Sequence, residues 1–194
     1  MTVVEPAILP QRMTVEEFLA FYETRPDDER WELIDGVAMM MTPPTKAHQR
    51  IASNLAFALN THFQIHRPDL YAYQEVGLIV PEVDRFRPTA DMAVEDNDAD
   101  YESYSDTFHL VMEVLSDSNT DAAVAIKRQR YMQHPKNMYV LIVEQKSISV
   151  TIWGRRNGWQ PFELTLLDDL LDLPELGFST PVRTLYAGTP LVRR

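Results

Sequence analysis

A glutamate stands in the middle of the apolar run Val111-Met112-Glu113-Val114-Leu115. The run otherwise reads as a buried strand. An unpaired carboxylate inside a fold costs several kcal/mol. Any fold this chain adopts must therefore neutralise Glu113, hydrogen-bond it or give it a metal ion. Candidates for that task lie on the neighbouring segments.

Residues 1–12 hold Pro6 and Pro10 and no periodic pattern, which predicts an irregular lead-in. Thr14, with Glu17 three residues on, matches a capping box. The helix it opens carries Phe18, Leu19, Phe21 and Tyr22 and should stop before Pro26. Segments 31–34 and 37–41 predict strands joined by a two-residue Asp35-Gly36 turn. Ile51, Leu55, Leu59 and Phe63 recur at helical spacing and predict the longest helix, over about 45–65, closed by Pro68. Segments 70–80 and 87–94 predict strands around a turn at 81–85. The acidic stretch 95–105 predicts an exposed loop, and 108–115 the strand holding Glu113. Ser116, Asp117, Ser118 and Asn119 supply N-cap chemistry for a helix over about 120–133, stopped by Pro135. Segments 138–143 and 147–153 predict a hairpin, and Asn157-Gly158 a type I′ turn into 159–166. The stretch 170–186 is short apolar pieces separated by Pro174, Gly177 and Pro181. This order predicts one domain over 13–187 with a tail at 188–194, built as a mixed sheet flanked by helices. Periodicity alone leaves α/β and α+β both open.

Asp91 interrupts the strand before Glu113, in Thr-Ala-Asp-Met-Ala-Val. Were the two strands neighbours, their carboxylates would form an oxygen-rich pocket suited to Mg²⁺ or Mn²⁺. Such a metal polarises a phosphodiester and lowers the pKa of a bound water. Lys127, on the helix after Glu113, carries the charge that stabilises a phosphorane-like transition state. Glu32, between Trp31 and Leu33, is a third candidate. The competing reading pairs each acid with an arginine or a backbone group at a strand end, and the residues alone leave it open.

Other features exclude or constrain. The chain has no cysteine, so disulfides, cysteine zinc sites and thiolate catalysis are excluded. Its net charge of −11 works against non-specific attraction to DNA or anionic lipid, although a local basic groove remains compatible with it. No signal-peptide pattern and no apolar run long enough to span a membrane is present, so the expected location is the cytoplasm. His62 and His66 share a helix face at i, i+4 but lack a zincin glutamate between them. Asp96, Asp98 and Asp100 alternate like a calcium loop, but Tyr101 and Thr107 stand where its Gly and Glu belong. Met39, Met40 and Met41 read as packing. Arg128 and Arg130 flank the proposed site helix and are candidates to meet phosphates. A glycosidase-type acid pair has only the two carboxylates in its favour.

Several pieces, in order, carry a family resemblance over about residues 11–187. They are Met-Thr-Val-Glu-Glu-Phe at 13–18, Trp-Glu-Leu-Ile-Asp-Gly at 31–36, and the stretch 44–51 with His48. Arg87-Pro88 through Asp91-Met92-Ala93-Val94 follows, then Glu113-Val114-Leu115-Ser116, Lys127 to Tyr131, and Tyr139-Val140-Leu141. The chain resembles the restriction endonuclease-like family of the PD-(D/E)XK nuclease superfamily, widespread in bacteria. The resemblance implies an α/β restriction-endonuclease-like fold, a central mixed sheet flanked by helices with an extra N-terminal helix and hairpin. It implies a Mg²⁺-dependent endonuclease, with Mn²⁺ as an alternative, hydrolysing phosphodiester bonds of DNA. Asp91 and Glu113, with the Val114 carbonyl, would be the metal ligands. Lys127 would activate water and Glu32 assist. His48, in a stretch that carries the resemblance, is a candidate to contact phosphate, to orient a site carboxylate or simply to make a local hydrogen bond at its helix N-terminus; Arg128, from its place on the helix, is a further candidate substrate contact. Cutting both strands would favour a homodimer. The sequence departs from the pattern at three places. Leu115 stands where the superfamily lysine usually follows the second acid, Thr89-Ala90 separates Arg87-Pro88 from Asp91, and Ala123 replaces an acid often found before the helix lysine. These departures keep open a second expectation, a catalytically weak nuclease fold acting as a nucleic-acid or protein interaction module.

Overall fold

The computed structural model describes residues 12–99, 101–117 and 119–192. The lead-in before Arg12, Asp100 of the acidic alternation, Ser118 of the capping run, and the end of the tail at 193–194 lie outside the described residues. In chain order the elements are α1 (Val15–Glu23), β1 (Trp31–Ile34), β2 (Val37–Met40), α2 (Lys46–His66), β3 (Leu70–Leu78), β4 (Thr89–Asp96), β5 (Tyr104–Ser105), β6 (Phe108–Leu115) and α3 (Asp121–Gln133). They continue with β7 (Tyr139–Glu144), β8 (Val150–Gly154), β9 (Pro161–Leu164), β10 (Leu170–Leu173), β11 (Phe178–Pro181) and α4 (Arg183–Tyr186).

Among the described residues the central sheet has seven strands in the order β5-β3-β4-β6-β7-β8-β9. It is mixed: β6 and β7 run parallel with α3 as their crossover, β5 runs parallel to β3, and the other pairs are antiparallel. Side chains alternate across β6, so Leu110, Met112 and Val114 enter one core with Ile51, Leu55, Leu59 and Phe63 of α2. Val111 enters a second core, with Tyr131 of α3 and Ile34 of β1. Glu113 shares the Val111 side and so faces α3. The sheet is thus covered by α2 on one face and by α3 and the β1–β2 hairpin on the other.

That hairpin stands outside the central sheet and is tied to it by a bridge between Leu33 and Arg87. Its turn is of the I′ kind, with positive φ at both Asp35 and Gly36. α1 opens with the expected capping box between Thr14 and Glu17. α2 is capped by the Thr45 hydroxyl, which accepts from the His48 N–H at 3.1 Å.

Three expectations are corrected, and the stretch 170–186 gains definite elements. The stretch 95–105 is not all loop: β4 runs on to Asp96, Glu95 is buried, and Tyr104–Ser105 adds a strand beside β3. Gly77 makes that edge pairing possible, since a Cβ there would fall 2.4 Å from the Tyr104 ring. Arg87 and Pro88 precede β4, because Arg87 pairs with Leu33 of the hairpin. Asn157-Gly158 is not a two-residue hairpin turn. A short 3₁₀ turn over Arg155–Asn157 precedes it, and both Gly158 and Trp159 take positive φ. The pieces at 170–186 form a hairpin of β10 and β11 and the helix α4. Leu171, Leu173, Leu176, Phe178, Val182, Leu185 and Tyr186 all enter the α2 core. Beyond α4 the chain turns at Gly188 and Thr189, and Ala187 bridges Val192. No helix among the described residues is long and apolar enough to cross a membrane.

Candidate active site

The backbone pairing of β4 with β6 stops at Met92 and Met112. Beyond that point the strands part, and side chains take over the orphaned backbone groups. The Asp91 carboxylate reaches across and accepts the Val114 N–H at 2.6 Å. A strand residue that takes part in a hydrogen-bonded pair aims its N–H and C=O to the same side. The Val114 carbonyl therefore also points into the gap between β4 and β6. His48, one turn into α2, lies against both groups: its Nε2 is 3.2 Å from Asp91 Oδ2, and it interacts with the Val114 backbone.

On the other face of the same strands Glu113 meets α3. Its Oε1 accepts the Tyr131 hydroxyl at 2.7 Å and its Oε2 the Lys127 ammonium at 3.1 Å. Lys127 also lies 2.8 Å from Glu32 Oε2 and donates to the Thr89 carbonyl at 3.2 Å. One buried ammonium is thus shared among two carboxylates and a carbonyl, each brought by a different strand. A helical side chain leans toward the N-terminus of its helix, which lets Lys127 come from the second turn of α3 and still meet the strand ends.

Burial pushes the Glu113 carboxyl up to about 7, aided by Asp91 and Glu32 and opposed by Lys127 and the Tyr131 hydroxyl. Burial lowers the Lys127 pKa, but the Glu113 and Glu32 charges more than offset it and hold the ammonium above the ordinary lysine range. Burial likewise works against His48⁺, and the contact with Asp91 overcomes it, so the His48 pKa is raised. The Tyr131 phenol is pushed well above its usual range by burial and by Glu113.

Among the described residues no group of three or more His, Asp or Glu side chains stands together as ligands, because Lys127 separates Glu32 from Glu113. The available set is two carboxylates, Asp91 and Glu113, with the Val114 backbone lining the same cleft. This set fits Mg²⁺ or Mn²⁺, which take hard oxygen donors and keep several waters. Each Glu113 oxygen has a second lone pair beyond the bond named, and Asp91 Oδ1 lies outside the contacts that engage Oδ2. Two carboxylates, Glu32 and Glu113, share the one Lys127 ammonium, and with Asp91 beside them they leave negative charge that a divalent cation would balance.

The site opens into a cleft of about 1580 Å³. Among the described residues lining it, eight are acidic and three basic, counting Arg30, Lys127 and Lys146. An approaching polyanion therefore meets repulsion that only cations can screen.

The structure brings Asp91, Glu113, Lys127, Glu32, the Val114 backbone and His48 together. It does not bring Arg128, whose guanidinium lies over the Trp153 ring at 4.7 Å. Arg130 is drawn to Asp35 instead. His62 and His66 lie with ring centroids 4.6 Å apart, tilted to each other, outside the cleft lining, and Asp96 is paired with His109 and Lys136. Sequence reasoning missed Tyr131. Its signal was spacing: Tyr131 lies four residues after Lys127, on the same helix face. Gln145 was also missed; it follows a strand end and no local pattern marks it.

A family model, Uma2, described as "Putative restriction endonuclease", matches residues 15–183. Among solved structures, the chain is similar to a protein of Anabaena variabilis described as a putative nuclease belonging to DUF820. The TM-score is 0.71 at 15% identity, over 90% of this chain and 97% of that one. No curated protein matches the chain.

Proposed function

Because the chain belongs to the Uma2 family of restriction endonuclease-like proteins, we propose that it is a metal-dependent endonuclease hydrolysing phosphodiester bonds of DNA. The observation that supports this most is the meeting of Asp91, Glu113 and Lys127 where β4 and β6 part. Asp91, Glu113 and the Val114 carbonyl would hold Mg²⁺ or Mn²⁺. Bound there, the ion supplies Lewis-acid polarisation of a phosphoryl oxygen and a more acidic water.

The chain's own residues do the rest. Lys127, cationic and desolvated, places a positive charge where negative charge grows on the phosphate oxygens. Glu32 holds the Lys127 ammonium from the opposite side, fixing its direction. Tyr131 fixes the Glu113 rotamer, and His48 does the same for Asp91. Location in the cytoplasm and pairing into a homodimer belong to the same proposal, since two strand cuts need two such sites.

The test is direct. Purified protein with Mn²⁺ or Mg²⁺ should nick or cut DNA, and Glu113→Gln or Asp91→Asn should reduce the rate by at least about 10²-fold, the scale of removing a group that stabilises the transition state. Cleavage that survives both substitutions rejects the mechanism.

A second reading, a binding module with little catalysis, is favoured by the acidic lining of the cleft. It predicts no cleavage at any metal concentration, together with no calorimetric heat on Mn²⁺ titration.

A further inference from the structure

Gln145 follows the last residue of β7 and is buried beside the cleft, at 8% exposure. Its amide makes two bonds with opposite roles. Nε2 donates to the Leu115 carbonyl at 2.8 Å, and Oε1 accepts the Thr45 hydroxyl at 2.6 Å. The same Thr45 oxygen accepts the His48 N–H and so caps α2. The His48 ring meets Asp91, which in turn holds the Val114 N–H. Val114 and Leu115 are covalent neighbours, so these bonds close a ring. It runs from Leu115 through Gln145, Thr45, His48 and Asp91 back to Val114. The ring encircles the point where β4 and β6 separate, and it fastens the N-terminus of α2 to the end of β6.

We infer that Gln145 is a positioning residue for Asp91, acting through Thr45 and His48. A side-chain amide offers a donor and an acceptor in one fixed plane. A glutamate would keep the Thr45 bond, lose the Leu115 bond and add a further negative charge near Asp91 and Glu113. A leucine would lose both bonds at similar bulk. Pro43 and Pro44 lead directly into Thr45 and stiffen the chain that enters α2 there. The inference rests on the nuclease reading only where it concerns metal.

The experiment compares Gln145→Leu, Gln145→Glu and Thr45→Ser with the unaltered chain, by amide hydrogen exchange without metal and by Mn²⁺ calorimetry. Exchange at Val114 is the direct readout, because its acceptor is the Asp91 side chain. The Val140 amide, deep in the sheet, reports global opening. In both Gln145 variants, Val114 protection should fall roughly tenfold while Val140 holds. Mn²⁺ affinity should fall about 10- to 100-fold, the scale of a lost outer hydrogen bond at a metal site. Thr45→Ser keeps the hydroxyl and should keep both values. Unchanged Val114 protection in both Gln145 variants overturns the inference. Equal loss at Val114 and Val140 also overturns it, by making Gln145 a general stabiliser. If the unaltered chain binds no Mn²⁺ yet Val114 responds as expected, the positioning role stands and the metal reading falls.

Discussion

Glu113 shows how one side chain can be costly and still retained. Both its oxygens are engaged, by Tyr131 and by Lys127. Its carboxyl, pushed up to about 7, nevertheless lies above its ordinary value of 4.5, so the fold binds this proton more tightly than the unfolded chain does. The stability this proton contributes is fully present below about pH 4.5 and is lost as pH rises through about 7. Lys127 is raised as well, so its contribution persists across that window and is lost only above the ordinary lysine range. Urea unfolding at pH 5 and pH 8 should therefore show a loss on the order of 2–3 kcal/mol from Glu113 in the unaltered chain, which Glu113→Gln removes, leaving the loss in the same direction from His48, whose pKa is also raised. Lys127→Met leaves Glu113 and Glu32 without their shared cation and should cost about 3–5 kcal/mol at pH 8, and less at pH 5 where Glu113 is protonated. Tyr131→Phe removes only a hydroxyl and should cost about 1.5–3 kcal/mol by the same measurement. Glu113 and Asp91 were legible in the sequence because a charge inside an apolar strand stands out. Tyr131 and Gln145 were not, because a tyrosine on a helix and a glutamine after a strand are ordinary until their partners are placed.

Elements with a strong local signal formed where the sequence put them. The Thr14 capping box, the Asp35-Gly36 turn and the α2 stripe each carry their own hydrogen bonds or their own apolar face. β5 failed to register because two residues hold no period. It exists through Gly77, whose N–H donates to the Ser103 carbonyl while Ile79 donates to Ser105. Gly77→Ala would place a methyl 2.7 Å from the Ser103 oxygen as well as against the Tyr104 ring. It should cost about 1–3 kcal/mol and raise exchange at the Ile79 amide before that of β6. Persistence of Ile79 protection in this variant would show that β5 does not depend on the close approach. The Asn157-Gly158 signal misled for the opposite reason. The dipeptide favours positive φ, but Arg155 bonds the His134 and Asn137 carbonyls and so fixes a longer connection.

The whole molecule is closed by its C-terminal part. Leu185 and Tyr186 of α4 are fully buried against α2, so the segment after β9 completes the main core. Leu185→Ala should cost about 2–5 kcal/mol, read by denaturant unfolding with an unchanged slope. At this scale charge also matters. The net charge of −11 and the acidic cleft predict that DNA binding, measured by fluorescence anisotropy, is weak in EDTA and strengthens when Ca²⁺ replaces it. Binding that is indifferent to divalent cations would place the DNA contact elsewhere on the surface.

The sequence by itself determined a mixed sheet flanked by helices, the strand and helix that carry Glu113 and Lys127, and the presence of acids that need partners, while its periodicity left α/β and α+β both open. Period, capping and turn chemistry are local, and local physics is written residue by residue. The tertiary structure alone decided that β4 and β6 part after Met92 and Met112, and that Lys127 is shared between Glu113 and Glu32. It also decided that Gln145, 100 residues from Thr45, closes the ring around Asp91. Those contacts join segments far apart in the chain, and their energies depend on burial that no single segment can create.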